Sequence, residues 1–298
     1  MSLRAKLIRL PFRLLLKHRT LANTPVVVVR RRVAFFSRLV PRPPRGTEII
    51  TVDLGGVPAE RTSVATSRSD RHVLYLHGGA YLSGSPALYR DFLWRIAAVT
   101  RTGVWCIDYR LAPEHPFPAA VDDAAKAYRA LLNDGADPGG IVLMGESAGG
   151  GLVFATLLKL RDEGTALPAA AVAMSPWTDL ALTGESLRVN DAVDPMITVE
   201  ALPGAASNYL AGADPRHPYA SPLFGDPTGL PPALILVGGD EVLRDDAVRM
   251  ADTMQTAGCE VEIDVWPGMV HAWPTLARIL PEARAAVARI GAFLDGKL

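Results

Sequence analysis

Residues 141–151 read IVLMGESAGGG, an apolar run followed by a lone serine, Ser147, and shortly afterwards by three glycines. Glycine in a helix interior costs roughly 0.5–1 kcal/mol relative to alanine, so these positions need a backbone that other residues cannot supply. Strand, Gly-x-Ser-x-Gly and helix in this order predict a nucleophile elbow, a sharp turn that exposes the serine hydroxyl. The residues two before and two after the serine meet in such a turn, and here they are Gly145 and Gly149. An N-cap serine in a glycine-rich loop is the alternative when the motif is taken alone.

The sequence on both sides of this motif alternates apolar runs with helical patterns. The runs lie at 48–54, 60–66, 72–77, 104–109, 141–146, 170–175, 233–238 and 261–266, and helical patterns at about 88–101, 119–134, 147–162, 245–257 and 275–294. The first two runs alternate about a Gly-Gly turn and predict an antiparallel edge hairpin. The later runs are almost continuously apolar, as in parallel strands buried on both faces. The pattern predicts an α/β fold, a mostly parallel eight-stranded sheet with helices on both faces.

One interval, 177–230, breaks this alternation with prolines and little periodicity. A gap of this size in an α/β sheet is typical of a functional insertion or lid. The chain has 298 residues, 49% hydrophobic and 21% charged, with a formal net charge of zero, so no nucleic-acid partner is expected. Residues 1–47 nevertheless contain twelve Lys and Arg and no Asp or Glu, which leaves an excess of twelve acids in the remainder. A basic N-terminal arm therefore precedes an acidic body.

Two cysteines, Cys106 and Cys259, lie far apart in strand-like stretches and do not make a disulfide framework. We expect buried free thiols, which suit a cytoplasmic location. No segment approaches the ~20 uncharged apolar residues of a membrane-spanning helix. The basic N-terminus lacks the small-residue cleavage site of a signal peptide.

A nucleophilic serine needs a general base, and the base needs an orienting carboxylate. In a sheet wound this way the chain order is serine, acid, histidine. Only His217 and His271 follow the serine, and we favour His271 because WPGMVHAW (266–273) comes directly after the last predicted strand.

The acid is expected after the seventh predicted strand. The stretch 236–247, LVGGDEVLRDDA, offers Asp240, Glu241, Asp245 and Asp246. Asp240 follows two glycines at the strand end, so we choose it. Asp245 and Asp246 suit the N-terminus of the next helix, where carboxylates are favoured.

Backbone N–H groups are expected to bind the oxyanion of acyl transfer. The stretch YLHGGAYLSGS (75–85) supplies Gly78 and Gly79 after the third predicted strand, and Ala148 directly follows the serine. The two loops meet at the same end of the sheet.

His77-Gly78-Gly79-Ala80 together with GESAGGG (145–151) resembles the hormone-sensitive lipase family of α/β-hydrolases, the bacterial esterases with an HGGG-type motif. DYRLAPEHPFPAA (108–120), SPWTDL (175–180), DEVLRDDA (240–247) and GMVHAW (268–273) also match that family, and the resemblance covers roughly 48–295. It implies a Ser147, Asp240 and His271 triad, with oxyanion donors on the first two glycines and Ala148. Ala80 departs from the third glycine of many members.

The same resemblance implies a basic cap arm at 1–46, a catalytic domain at 47–298 and a cap insertion at about 180–220. Trp177, Met196 and Ile197 are the candidate substrate-binding residues. The 108–120 stretch is expected to be architectural, with structural roles for Glu114 and His115.

The N-terminal segment has two interpretations. Lys6, Arg9, Arg13 and Lys17 would form a stripe beside Leu3, Leu7, Leu10 and Leu14 on a helix that Pro11 disturbs. Such a helix could bind anionic lipid or steer an anionic substrate. Alternatively it is a cap helix whose cations rest on the acidic body, which the family resemblance favours.

We therefore predict a serine carboxylesterase for short- to medium-chain esters, with an acyl-enzyme intermediate and no metal or organic cofactor. Its partner is a small-molecule ester. Weak membrane contact through the arm and a homodimer through the last strand are further possibilities, the latter from the resemblance. The alternatives are a lactone or amide hydrolase with the same triad, a ligand receptor on a dead hydrolase scaffold, and a membrane adaptor.

Overall fold

A single eight-stranded sheet forms the centre of the computed structural model, which describes residues 1–15, 17 and 24–298. The strands are β1 (Glu48–Asp53), β2 (Pro58–Ser63), β3 (His72–Leu76), β4 (Gly103–Ile107), β5 (Ile141–Glu146), β6 (Ala170–Met174), β7 (Ala233–Gly238) and β8 (Val261–Trp266). Their spatial order is β1-β2-β4-β3-β5-β6-β7-β8, and β2 is antiparallel to both of its neighbours. All other pairs are parallel.

The predicted fold class is confirmed. Every residue of β5, β6 and β7 is buried, as their continuous apolar sequences require. The predicted edge hairpin is present, although β2 spans Pro58–Ser63 rather than 60–66. The difference follows from the turn, since Leu54 and Val57 already exchange hydrogen bonds and pairing begins directly after them.

Helices cover both faces of the sheet and bury two separate cores. They are α1 (Leu3–Leu15), α2 (Val26–Leu39), α3 (Pro86–Thr100), α4 (Ala119–Asn133), α5 (Ala148–Asp162), α6 (Ser186–Val189), α7 (Ala201–Leu210), α8 (Arg244–Thr256) and α9 (Pro281–Asp295). The larger core lies under α4, α5, α7 and α8, and the other lies under α3 and α9. The predicted final helix begins at Pro281 rather than near 275, because a short 3₁₀ turn at Trp273–Leu276 precedes it.

The 177–230 interval contains α6 and α7 separated by irregular chain. The N-terminal arm contacts this insertion directly, since Arg9 Nη2 lies 2.8 Å from the Val193 carbonyl oxygen and Lys17 Nζ lies 3.0 Å from that of Asp194. A second attachment comes from Arg30 on α2, which pairs with Glu114. The arm and the insertion are therefore in direct contact. The boundary at 46/47 stays a prediction.

Both cysteines are free thiols, as predicted. Cys106 is buried in β4, whereas Cys259 precedes β8 and is half-buried. In the part of the chain that the structure describes, no helix combines the length and the apolar character needed to cross a bilayer.

Candidate active site

Ser147 occupies the turn between β5 and α5 with φ +56° and ψ −126°, a left-handed conformation that favours glycine. Hydrogen bonds on both sides hold this strained residue: its N–H donates to the Met174 carbonyl, and its own carbonyl accepts from the N–H of Trp177, both at 2.9 Å. Its side chain lies at the carboxyl end of β5 and is partly exposed. The turn has the geometry of the predicted nucleophile elbow.

The glycines around the serine are required by close backbone approach. A Cβ atom at Gly145 would overlap the carbonyl oxygen of Gly149, and one at Gly149 would overlap the carbonyl oxygen of Leu76. Both neighbours are backbone atoms and cannot rotate away. The predicted contact between the positions two before and two after the serine is therefore confirmed.

His271 follows β8 and is held by a carboxylate. Its Nδ1 atom lies 2.7 Å from Oε2 of Glu241, and the two side chains are 9% and 0% exposed. The expectation that Asp240 would contact the histidine is wrong: Asp240 pairs with Arg9 of α1, with Nη1 and Oδ2 2.8 Å apart. The histidine's partner is the next residue along the chain.

The backbone at the end of β7 explains this choice. The other oxygen of Glu241, Oε1, accepts hydrogen bonds from the Gly238 N–H at 2.6 Å and from the Ser175 hydroxyl at 2.7 Å. Ser175 also accepts the N–H of Ala272 at 3.0 Å, so one hydroxyl links the acid to the residue after the histidine. The carboxylate is thus fully satisfied inside the fold, while Asp240 faces the arm.

Glu241 sets the charge state of the histidine. Burial alone would lower the pKa of His271, but the hydrogen bond and negative charge of Glu241 outweigh it and raise that pKa above its ordinary value. The same contact directs Nδ1 toward the carboxylate. Nε2 is the ring nitrogen left to accept a proton from another group.

The loop after β3 lies beside the serine, since a Cβ at Gly78 would sit 3.0 Å from Cβ of Ser147. The N–H of Gly78, however, donates to Oε1 of Glu146 at 2.5 Å. The expectation that Gly78 binds an oxyanion is therefore wrong, because its donor is already used. Within the described chain, the N–H groups of Gly79 and Ala80 have no acceptor.

Ala80 and Tyr81 both have left-handed backbones, with φ +57° and +62°. Gly79 has φ +121°, and a Cβ there would overlap the Ser83 carbonyl. The loop turns tightly, and two successive N–H groups next to the serine have no acceptor among residues 1–15, 17 and 24–298. The N–H of Ala148 is a third, since it opens α5.

Sequence reasoning missed Glu146, which lies behind the serine. It is 2% exposed and accepts hydrogen bonds from the Tyr75 hydroxyl and from Gly78. Burial raises the pKa of Glu146 to about 7, against the opposing effect of its hydrogen bonds from Tyr75, Tyr89 and Gly78. An acidic residue inside an otherwise apolar strand was the available signal. The carboxylate ties the elbow to the oxyanion loop.

The predicted substrate-binding residues divide into two groups. Trp177 is 1% exposed and belongs to the larger core, so its side chain serves packing. Met196 and Ile197 are half-buried, and their N–H groups donate to Oδ1 of Asp194 at 2.8 and 3.0 Å. Oδ2 of the same buried aspartate accepts the N–H of Val242, next to Glu241. Asp194 therefore links the insertion to the loop that carries Glu241.

Other polar residues considered from sequence have structural partners. His217 makes edge-on ring contacts with Phe117 and Tyr219. Glu114 is exposed and pairs with Arg30, and His115 is also exposed, so a structural role for His115 stays a prediction.

The two acids at the start of α8 are also accounted for. Asp245 accepts the N–H of Ser186 at 2.7 Å, and Asp246 accepts those of Thr178 and Asp179 at 2.9 Å each. Both carboxylates therefore join α8 to the insertion.

Residues 73–275 match the family model for the alpha/beta hydrolase fold. In solved structures, the chain is similar to an esterase from the bacterial hormone-sensitive lipase family, with a TM-score of 0.93, 42% identity and coverage of 100% of this chain and 99% of the other. The chain belongs to that family.

Relatives with assigned activities agree. An acetyl-hydrolase of Streptomyces hygroscopicus is 49% identical over 232 residues, 78% of each chain. An esterase of Acinetobacter venetianus is 37% identical over 257 residues, which is 86% of this chain and 84% of the relative. This member of the family is accordingly a hydrolase of carboxylic esters.

Proposed function

We propose that the enzyme is a serine carboxylesterase in which Ser147, His271 and Glu241 form the catalytic triad. The observation that carries this proposal is the buried Glu241–His271 pair, which leaves Nε2 of the histidine at the same sheet edge as the elbow serine. The arrangement has the roles of nucleophile, base and orienting acid, and α/β-hydrolases use either Asp or Glu in the last role.

In the first half-reaction, Ser147 Oγ attacks the ester carbonyl carbon while His271 Nε2 takes the hydroxyl proton. Glu241 stabilises the imidazolium that forms and keeps the imidazole in the tautomer that accepts at Nε2. The imidazolium then protonates the departing alkoxide, leaving an acyl-enzyme on Oγ. Water, deprotonated by the same nitrogen, attacks the acyl carbonyl and releases the acid.

The tetrahedral oxyanion is bound by the N–H groups of Gly79, Ala80 and Ala148. Loss of a single donor of this kind typically lowers kcat by about 10²–10³. Support comes from the Gly79 and Ala80 N–H groups, which lack an acceptor in the described part of the chain, and from the hydrogen bond of Gly78 to Glu146, which fixes the loop beside the serine.

The preferred substrates are short-chain esters, acetyl esters in particular. The acetyl-hydrolase relative supports this choice, as does the closely fastened insertion, in which Met196 and Ile197 are held to the Glu241 loop through Asp194. These two side chains would limit the length of the acyl group. The free thiols of Cys106 and Cys259 suit a cytoplasmic location.

Hydrolysis of p-nitrophenyl esters from acetate to palmitate, with Ser147→Ala in parallel, tests the proposal. We expect turnover that is highest on the shortest acyl chains and absent in the variant. Turnover that survives in a folded Ser147→Ala protein would refute the triad. An optimum on long chains would refute the substrate class while leaving the triad intact.

A further inference from the structure

The outward face of α1 carries a row of exposed leucines. Leu3, Leu7, Leu10 and Leu14 are 72%, 64%, 64% and 58% exposed. Their spacing of four, three and four residues places them on one face of the helix. Single exposed apolar residues are ordinary, but a continuous row of four leucines marks an interaction surface. We call these four residues the leucine row.

The leucine row is separate from the face that attaches the helix to the body. Ala5 is 2% exposed, and Ile8 and Phe12 pack against the core under α3 and α9. These three residues lie on the opposite side of α1. Packing of the arm therefore does not use the leucines.

The cations of the arm also fall into two groups, those bonded to the rest of the protein and those exposed beside the leucine row. Arg9 bonds to the body through Asp240 and the Gly268 carbonyl, and Lys17 bonds to the insertion. Lys6 and Arg13 are exposed beside the leucine row and form no ion pair within the described chain. Together with Leu10, they line a cavity of about 280 Å³ that opens between α1 and Val193.

The second helix of the arm repeats this composition. On α2, Phe35, Phe36 and Leu39 are 57%, 55% and 61% exposed. Arg32 and Arg38 are exposed beside them, and within the described ranges neither has an acidic partner. Residues 1–47 contain no acid that could neutralise these cations.

We propose that the leucine row docks the enzyme on an anionic lipid surface. Leucines flanked by unpaired Lys and Arg are the composition with which a helix lies in a membrane interface, its apolar side among the acyl chains and its cations at anionic headgroups. A second copy of the chain fits less well, because the same cations would face each other across the two-fold axis of a symmetric contact.

Docking through α1 would bring the active site to the lipid surface. Arg9 connects the helix to Asp240, which precedes the catalytic Glu241, and to Gly268, three residues before His271. The helix that carries the leucine row is therefore bonded directly to the loops that hold Glu241 and His271. Lipid binding itself can be measured without turnover, so this inference does not depend on the proposed function.

Co-flotation of the full chain with phosphatidylglycerol–phosphatidylcholine vesicles, and with vesicles of pure phosphatidylcholine, tests the docking. Wild type should bind the anionic vesicles, bind the neutral ones much less, and dissociate as salt is added. Leu7→Ser/Leu10→Ser should weaken binding by at least about tenfold. Lys6→Gln/Arg13→Gln should weaken it by about tenfold to thirtyfold.

The matched control replaces two exposed apolar residues outside the arm, Ile50→Ser/Val189→Ser, and should bind like wild type. All variants should keep wild-type hydrolysis of p-nitrophenyl acetate, which verifies folding. Equal binding to neutral and anionic vesicles, or no binding, would overturn the proposal. The leucine row would be assigned to self-association instead under two conditions. Wild type would fail to bind any vesicles, and Leu7→Ser/Leu10→Ser would change the oligomeric state measured by light scattering.

Discussion

Nδ1 of His271 lies 2.7 Å from Oε2 of Glu241, while the carboxylate of the preceding residue, Asp240, lies 2.8 Å from Nη1 of Arg9. Two adjacent acids at the end of β7 thus serve different parts of the molecule. Glu241 is buried and satisfied by Gly238, Ser175 and the histidine, whereas the Asp240 side chain is 34% exposed. The pair makes the assignment of the catalytic acid directly testable.

Glu241→Gln should lower kcat for p-nitrophenyl acetate by about 10³–10⁴, because the imidazole loses the charge that fixes its tautomer and stabilises its protonated form. Asp240→Asn, the matched control, should remain within a few-fold of wild type, since it breaks only a part-exposed ion pair worth at most about 1 kcal/mol. The reverse ranking of the two variants would return the role to Asp240. Circular dichroism of both variants excludes unfolding as the cause.

The pH profile of kcat/KM should report His271. Activity requires the neutral imidazole, and Glu241 raises the pKa of His271 above 6.5, so activity should rise with pH through a midpoint above that value. In Glu241→Gln the two largest effects that raise the pKa of His271 are removed, so burial should outweigh the remaining charges of Asp194 and Glu146, and the midpoint of the residual activity should move to lower pH. An unchanged midpoint in the variant would show that another group controls the acid limb.

Replacing Ala80 with glycine should stabilise the protein without loss of kcat. Ala80 has φ +57°, a conformation that costs an alanine roughly 1 kcal/mol relative to glycine. Its proposed oxyanion donor is the backbone N–H, which glycine retains. We expect a rise in Tm of about 1–4 °C in Ala80→Gly, by calorimetry.

Gly79→Ala is the opposite case in the same loop, because its Cβ would overlap the Ser83 carbonyl. It should lower both Tm and kcat. Equal effects of the two substitutions would contradict the assigned loop geometry.

Glu146 should make stability fall as pH rises. Its pKa is about 7 in the folded protein and 4.5 for the ordinary group, so the folded state binds the proton more tightly. Below 4.5 both states are protonated and there is no penalty, and between 4.5 and about 7 the folded state progressively loses stability, at most about 3 kcal/mol.

Glu146→Gln removes this titration. The free energy of unfolding of the variant relative to wild type should therefore increase as pH rises from 4.5 to 7, in urea melts. Glu185→Gln, at an exposed carboxylate, is the matched control for the substitution itself. A difference that does not change with pH for Glu146→Gln would show that the pKa of this carboxyl is not raised in the folded protein.

The sequence predicted the sheet well because the strands β3 to β7 are buried on both faces, and burial on both faces requires nearly continuous apolar runs. It predicted the elbow because only glycine permits the backbone contact between positions 145 and 149. Both the buried strands and the nucleophile elbow therefore restrict which residue types can occupy their own positions, and this restriction is visible in the sequence.

The two errors in the catalytic residues, Asp240 and Gly78, concern contacts between distant segments. Asp240 and Glu241 both follow the glycines after β7, and the choice between them depends on Ser175 and on Arg9 of the arm. Gly78 has a suitable N–H, but Glu146, 68 residues later, already accepts it. A local sequence pattern cannot show whether a backbone N–H or a carboxylate is already paired with a residue far away in the sequence.

The attachment of the arm has a consequence for how the chain is made. Ser2 Oγ donates to Oε2 of Glu282 at 2.9 Å, and Ala5 packs in the core to which α9 contributes, so this end of the arm contacts a residue that is translated 280 residues after it. The start of α1 therefore cannot make this contact until α9 has been translated. The leucines and cations of α1 are therefore available to other surfaces before His271 has been synthesised.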